Sequence, residues 1–349
     1  DGGYDVTSRP GDIITKGPWV DVRAYPSFAS AVTTLTAAGQ AKTLLIVDEQ
    51  AVTANVTVPK YITLAFVGGG VLNVSASITV TISGPVQSPA TEIFRGVGNV
   101  VIGRYNTDIR EVLPEWFGAQ GDDSTDSTNA IQRAIDSLSI DGGVIGFGPG
   151  IYQTTALTVP PDRGVFFRGS GRMTSLLRYM SSTGSCLRLG EGGSDSERFR
   201  FEDMGLYTTL NGNTLGINAP NGVYVRQFCA RNFYISGFKT GIYIDWGQDC
   251  TVDEGIVECY GGKGVLNGTI GIKFAGMNGL CIKDVSVSKA HYGIYNGGSP
   301  SVIIRPAFDD CEIGLDNNTR AIVISSSFGD VTTPAKMTGN GALFLGTDG

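Results

Sequence analysis

Apolar and polar residues alternate in short runs along most of this chain, and helical spacing is clear in only one place. Ala130, Ile131, Ala134, Ile135 and Leu138 share one helical stripe, with Gln132, Arg133 and Asp136 on the other side. The pattern predicts a helix over 127–139, capped at its start by Asp126 or Ser127 and stopped by Asp141-Gly142-Gly143. A fainter helix signal, Phe28 to Leu35, precedes a predicted strand from Thr43 to Val47. From Val144 onward the text is short β-rich pieces. The helix at 127–139 is therefore expected to plug the open end of something built from strands, because uncovered edges invite aggregation.

The β-rich text repeats. After about Arg200 come EDMGLYTTL, RNFYISGFKTGIYI, DEGIVECYGGKGVL, KDVSVSKAHYGIY and RPAFDDCEIGL. Aligned on Gly241, Gly264, Gly293 and Gly314, they recur every 23, 29 and 21 residues, a solenoid period. TVPKYITLAFVGGGVL at 57–72 lines up with TVPPDRGVFFRGSGRM at 158–173 at a constant offset of 101, so the chain starts a β-coil twice. The expected organisation is an irregular stalk at 1–26, a small β-rich unit at 27–113, a main solenoid at 114–324, and a cap or further domain at 325–349. Asn211–Gly222 and Gly261–Gly271 read as loops thrown out from the coils.

Composition narrows the function classes. The 349 residues include 50 glycines, are 41% hydrophobic and only 17% charged, which fits a turn-rich all-β protein large enough for a sizeable core. A net charge of −7 with no basic cluster speaks against nucleic acid or an anionic membrane as partner. No apolar run approaches the ~20 residues needed for membrane insertion. The chain begins at Asp1 without Met and is read as a processed or excised piece. Six cysteines, no C-x-x-C pair and a single His make a Cys/His metal site unexpected, and no cofactor is implied. The thiols are expected to be free, stacked small core residues of a protein made in a reducing cytosol.

The segment EWFGAQGDDSTDSTNAIQRAIDSL, followed by GGVIGFGPGIYQTTALTVP, resembles the opening segment of pectate-lyase-like, right-handed parallel β-helix proteins. Such segments are common in bacteriophage tailspikes and capsule depolymerases. The match rests on the order Trp-Phe-Gly-Ala, Gly-Asp-Asp, helix, Gly-Gly, apolar strand, Pro-Gly-x-Tyr; beyond Pro160 only the architecture matches. The resemblance implies an all-β, right-handed parallel β-helix with an N-terminal capping helix. It further implies a homotrimeric tailspike that binds and depolymerises bacterial surface polysaccharide, capsule or O-antigen. Such a protein is made in the bacterial cytoplasm and carried on the virion tail, where it acts outside the cell. It transfers no catalytic group: Asp122, Asp123 and Asp126 read as capping and turn residues.

Function on a β-solenoid lies on outward positions that line up across coils. The glycine alignment places Ser236, Glu258, Ser288 and Asp309 in one column, with apolar neighbours Ile235, Val257, Val287 and Phe308 turned inward. Glu258 and Asp309 would stand two coils apart, roughly 10 Å. Inverting glycosidases hold their acid and base carboxyls about 6.5–9.5 Å apart. Asp310 is expected to raise the pKa of Asp309 by like-charge repulsion. Solvated acids on a coil face would look the same in sequence. A second cluster, Asp245-Trp246-Gly247-Gln248-Asp249 with Asp253 and Glu254, reads either as a sugar platform or as a turn with an aromatic clamp. His291, with Lys289, Tyr292 and Arg305, would suit proton abstraction beside a uronate, making a polysaccharide lyase; a lone surface His is the plainer reading. A third alternative is a non-enzymatic receptor-binding or structural appendage.

Overall fold

The computed structural model describes residues 18–104, 106–190, 195–261, 268–298, 300–338 and 343–348. Most of the expected stalk at 1–26 and most of the loop after Gly261 lie outside the described residues. The chain divides into two compact units, residues 1–119 with 133–143, and residues 120–132 with 144–349.

The first unit winds three short coils, each giving one strand to each of three parallel sheets. Lys42–Ile46, Ile62–Phe66 and Val86–Gln87 stack in one sheet, which Trp19–Asp21 extends. Glu49–Val52, Val71–Val74 and Phe94–Gly96 form the second, and Val56–Val58, Thr79–Ile82 and Asn99–Ile102 the third. The alternation of the sequence is what turns Leu44 and Leu64, Leu72 and Phe94, and Val58 and Ile82 into one core, each fully buried. The faint helix is real and spans Phe28–Ala38, with the Ser27 hydroxyl accepting from the Ser30 amide at 3.1 Å and Gly39 left-handed at its end. Phe28, Ala31, Val32 and Leu35 are its buried face.

The stronger helix signal gives a helix over Thr128–Ser137. The Asp126 carboxylate accepts from the Thr128 amide at 2.9 Å. Ser127 supplies only its backbone carbonyl to the helix, while its hydroxyl accepts from the Gln120 amide at 3.0 Å. All five residues of the apolar stripe are buried. Gln132 clasps the second unit's strand Leu157–Val159 by both amide atoms, donating to the Thr158 carbonyl (3.0 Å) and accepting from the Thr158 amide (2.9 Å). Asp122 accepts from the Ser124 and Thr125 amides and hydroxyls, which hold its carboxyl well below the usual range; Asp123 pairs with Arg178 at 2.8 Å. These acids are occupied by local structure.

The second unit is a longer parallel β-helix of three strand stacks. The first runs through Gly150–Thr154, Ser175–Tyr179, Gly205–Tyr207, Tyr234–Phe238, Ile256–Cys259, and the opening residues of Ser286–Asn296 and Ala307–Asn317. The second runs through Val165–Arg168, Arg200–Glu202, Cys229–Arg231, the ends of Thr240–Asp253 and Ile270–Lys283, then Ser301–Ile304 and Ala321–Phe328. The third includes Asn213–Arg226 and the opening halves of Thr240–Asp253 and Ile270–Lys283. Each stack buries one inward column, such as Ile235-Val257-Val287-Phe308 in the first and Ile217-Ile242-Ile272-Ile294 in the third.

Several expectations are corrected. Asn213–Arg226 is a strand rather than a loop, because Leu215, Ile217, Ala219, Val223 and Val225 keep the inward period around a bulge between Ala219 and Tyr224. The glycine shared by successive coils is Gly271, not Gly264, which lies outside the described residues: Gly216, Gly241, Gly271, Gly293 and Gly314 form one column. A Cβ on Gly293 would sit 2.5 Å from the Gly314 carbonyl oxygen and 2.5 Å from the Phe308 ring, so this corner admits only glycine. Pairing also continues past residue 325, with Val331–Met337 and Leu343–Asp348 joining the stacks although the sequence repeat fades there. The six cysteines are unbridged; Cys186, Cys250, Cys259 and Cys311 are buried, and burial pushes the Cys311 thiol up to about 11.

Candidate functional site

The first stack aligns four outward side chains in register: Ser236 opposite Glu258, Glu258 opposite Ser288, and Ser288 opposite Asp309. Their chain neighbours Ile235, Val257, Val287 and Phe308 are buried, so strand alternation turns the four outward. Three donors fix the Glu258 carboxylate. The Tyr234 hydroxyl donates to Oε2 at 2.8 Å, the Ser236 hydroxyl to the same oxygen at 3.5 Å, and Lys289 Nζ lies 3.6 Å from Oε1. Burial and the carboxylate beside it push the Tyr234 phenol up, so it stays a donor. Asp309 is exposed, and its Oδ1 accepts the Asp330 amide at 3.2 Å across the following turn. Lys289 and Asp310 share the next register position and both take left-handed backbone (φ 56° and 48°), which turns the chain out of the strand. Asp310 thus marks a corner and stands outside the column.

The Asp245–Asp249 cluster is divided. The Trp246 indole is 56% exposed and lies over the backbone of Gly276, its register partner, where a Cβ would come within 2.9 Å of the ring. Asp245 accepts from the Tyr243 hydroxyl at 3.1 Å. Burial first and this carboxylate second push the Tyr243 phenol up to about 12. Tyr243 is in turn one step of an outward column, Asn218-Tyr243-Lys273-Tyr295, in which Lys273 Nζ stands 4.6 Å from the Tyr243 ring centroid and 5.8 Å from that of Tyr295. Tyr292 meets Tyr295 edge-on at 6.2 Å and His291 at 4.4 Å. Sequence reading missed Tyr243, Lys273 and Tyr295. Each lies two residues after a glycine of the shared column, a signal hidden by aligning on Gly264. Asp249, by contrast, is a left-handed corner that lines a cleft of the second stack with Arg200 and Arg231.

The set expected for a lyase does not assemble. Arg305 sits at the corner before the first stack and pairs both carboxylate oxygens of Asp284 at 2.5 Å, while Lys289, beyond that strand, pairs with Glu258. The cause is the register: Arg305 belongs to a column of left-handed corners with Asp203, Asn232, Glu254 and Asp284. Asp253 lies 3.7 Å from Lys283, and Glu254 lies 3.8 Å from Arg231. Among the described residues no group of three or more His, Cys, Asp or Glu side chains gathers to hold a metal ion.

Residues 109–328 match the family model described as rhamnogalacturonase A/epimerase, pectate lyase-like. The chain belongs to this pectate-lyase-like family. The matched span holds the whole Ser236–Asp309 column and the Tyr243–Tyr295 column. A search of curated proteins finds no match. Among solved structures, the chain is similar to the A-module of a mannuronan C-5 epimerase from Azotobacter vinelandii (13% identity, 67% of this chain and 100% of that one, TM-score 0.31). It is also similar to the ORF18 protein of Geobacillus virus E2 (15%, 68% of this chain and 60% of that one, TM-score 0.30). A third is the catalytic unit of a GH87 α-1,3-glucanase from Streptomyces thermodiastaticus (14%, 73% and 70%, TM-score 0.22). Overlaps this loose say nothing of the reaction catalysed by the pectate-lyase-like chain described here.

Proposed function

We propose that this pectate-lyase-like protein is a tailspike-type depolymerase, a homotrimeric virion appendage that binds bacterial capsule or O-antigen and cuts it by endo-acting hydrolysis. The observation that carries this reading is Glu258, an outward carboxylate oriented by Tyr234, Ser236 and Lys289 and aligned with Asp309 two coils on. Glu258, with its orientation fixed, acts as base on an attacking water. Asp309 acts as acid toward the leaving oxygen on the opposite side of the sugar ring. The coil spacing of roughly 10 Å is just beyond the ~6.5–9.5 Å that inverting enzymes use between carboxyls, a gap that side-chain lean can close, and Ser288, a short side chain, leaves the space between open. Trp246 offers a flat apolar surface for a sugar face, and Asp245, Tyr292 and His291 are offered as further hydroxyl partners along the third stack.

The test combines mass in solution with a panel of capsular and O-antigen polysaccharides. A trimer that shortens one glycan and releases reducing ends without ultraviolet absorbance from a new double bond supports the reading. Double-bond absorbance would replace hydrolysis by β-elimination. Binding with no change in glycan length would leave an adhesin.

A further inference from the structure

We propose that the cleft on the second strand stack is a separate saccharide site that holds an acidic sugar residue. The inference rests on the reading of the chain as a polysaccharide-binding protein. The cleft, of about 560 Å³, is a grid of three consecutive coils by three positions. Its corners are Arg198, Gln227 and Asp249, all left-handed (φ 54°, 59° and 54°). Its strand positions follow in register, Arg200-Cys229-Thr251 and Glu202-Arg231-Asp253. Its volume falls in the ~300–1,000 Å³ range of small-molecule sites.

The grid is polarised. Arg198 and Arg200 occupy one end, and among the described residues neither has a carboxylate partner. The Arg200 guanidinium lies 5.9 Å from the Phe166 ring centroid, a contact that steadies this exposed side chain. At the other end, two coils or roughly 10 Å away, stand Asp249 and Asp253. Arg231 and Asp253 are engaged by Glu254 and Lys283, and the Gln248 amide donates to one Asp249 oxygen at 3.1 Å. This leaves two guanidiniums at one end, with Glu202 beside Arg200 receiving the Cys229 thiol at 3.8 Å, and Thr251 with the Asp249 carboxylate at the other. A sugar carboxylate matches the guanidinium fork, and its hydroxyls match Asp249 and Thr251. A neutral glycan would leave both arginines unanswered. A polyphosphate would meet Asp249, Asp253 and a net charge of −7.

The experiment titrates the Glu258→Gln protein, in which cutting is blocked, with a glucuronic-acid-containing tetrasaccharide and with its carboxyl-reduced form. The acidic form is expected to bind at least about tenfold tighter, with the preference lost in Arg200→Gln and weakened by salt. Thr251→Tyr, which fills the centre from an outward position, is expected to abolish binding with the melting temperature unchanged. Equal affinity for the two forms, or a preference that survives Arg200→Gln or Thr251→Tyr in folded protein, overturns the proposal. Cutting of a glycan with no acidic preference would leave the Glu258 column standing and remove the cleft; acidic preference without any cutting would do the reverse.

Discussion

The first and second strand stacks share one inward pattern and differ in what they turn outward. In the second stack one outward column reads Arg168, Glu202, Arg231, Asp253, Lys283, so the sign of charge alternates from coil to coil. In the first, the column reads Arg178, Tyr207, Ser236, Glu258, Ser288, Asp309, so that Glu258 stands between two serines and neither carboxylate has a cation as its register neighbour. Opposite charges one strand apart give cross-strand support of about 0.2–1 kcal/mol where they meet, as Asp253 and Lys283 do at 3.7 Å. Along the first-stack column only the long Ser236–Glu258 hydrogen bond (3.5 Å) links neighbours, and the geometry of Glu258 is set mainly from outside it by Tyr234 and Lys289. The difference separates acids that hold the solenoid together from acids free to act on a ligand.

The largest effect on stability should come at the glycine corner where the third stack packs on Phe308 of the first. Gly293→Ala places a Cβ against the Gly314 carbonyl and the Phe308 ring and is expected to cost about 3 kcal/mol or more, read as a fall in denaturation midpoint. Gly222→Ala, with open space around a left-handed residue, should cost only about 1–2 kcal/mol. Equal losses would show that close packing at the corner is not what fixes the stacks.

Next in size is Tyr234→Phe, which removes the shortest bond to Glu258. Loss of a hydrogen bond to a charged group is worth about 1.5–3 kcal/mol, so cutting should slow roughly 10- to 100-fold with the fold intact. Unchanged cutting would mean that Glu258 needs no such positioning.

The Tyr243 phenol gives a pH test. Its folded pKa, about 12, is raised above that of an ordinary tyrosine, so its contribution to stability is fully present below the unfolded value and is lost as pH rises through about 12. Asp245→Asn should bring phenolate absorbance in at lower pH, while burial keeps part of the shift. No movement would show that Asp245 has no part in it.

Arg305→Gln should matter least. It breaks an exposed, solvent-screened corner pair with Asp284, so the melting temperature should hardly move and cutting should be unchanged. A collapse in activity would restore Arg305 to the site.

Much of this was legible in the sequence because it is written in short-range periods. Alternation gave the inward columns, and the stripe from Ala130 to Leu138 gave the helix. The spacing of Ser236, Glu258, Ser288 and Asp309 gave their column, despite the misplaced glycine, because the extra residues after Cys259 fall outside the first stack. Asn213–Arg226 was hidden by its turn-like composition, Gly216 serving the packed glycine column and Pro220 to Gly222 falling in the bulge of an otherwise regular strand. The Tyr243–Lys273–Tyr295 column and the Arg198–Asp253 cleft were invisible for another reason. Their residues are a full coil apart in coils of unequal length, so the first becomes visible only once Gly271 replaces Gly264 as the anchor, and the second only through the pairing register.

The central claim is that Glu258 and Asp309 act as a pair. The most direct measurement compares reducing-end release by wild type, Glu258→Gln and Asp309→Asn on one susceptible glycan, with melting curves alongside. The account predicts that each substitution lowers the rate by about 10²–10⁴ while leaving the melt in place. Full activity in either folded variant would contradict it and would leave the column as no more than surface chemistry on a solenoid.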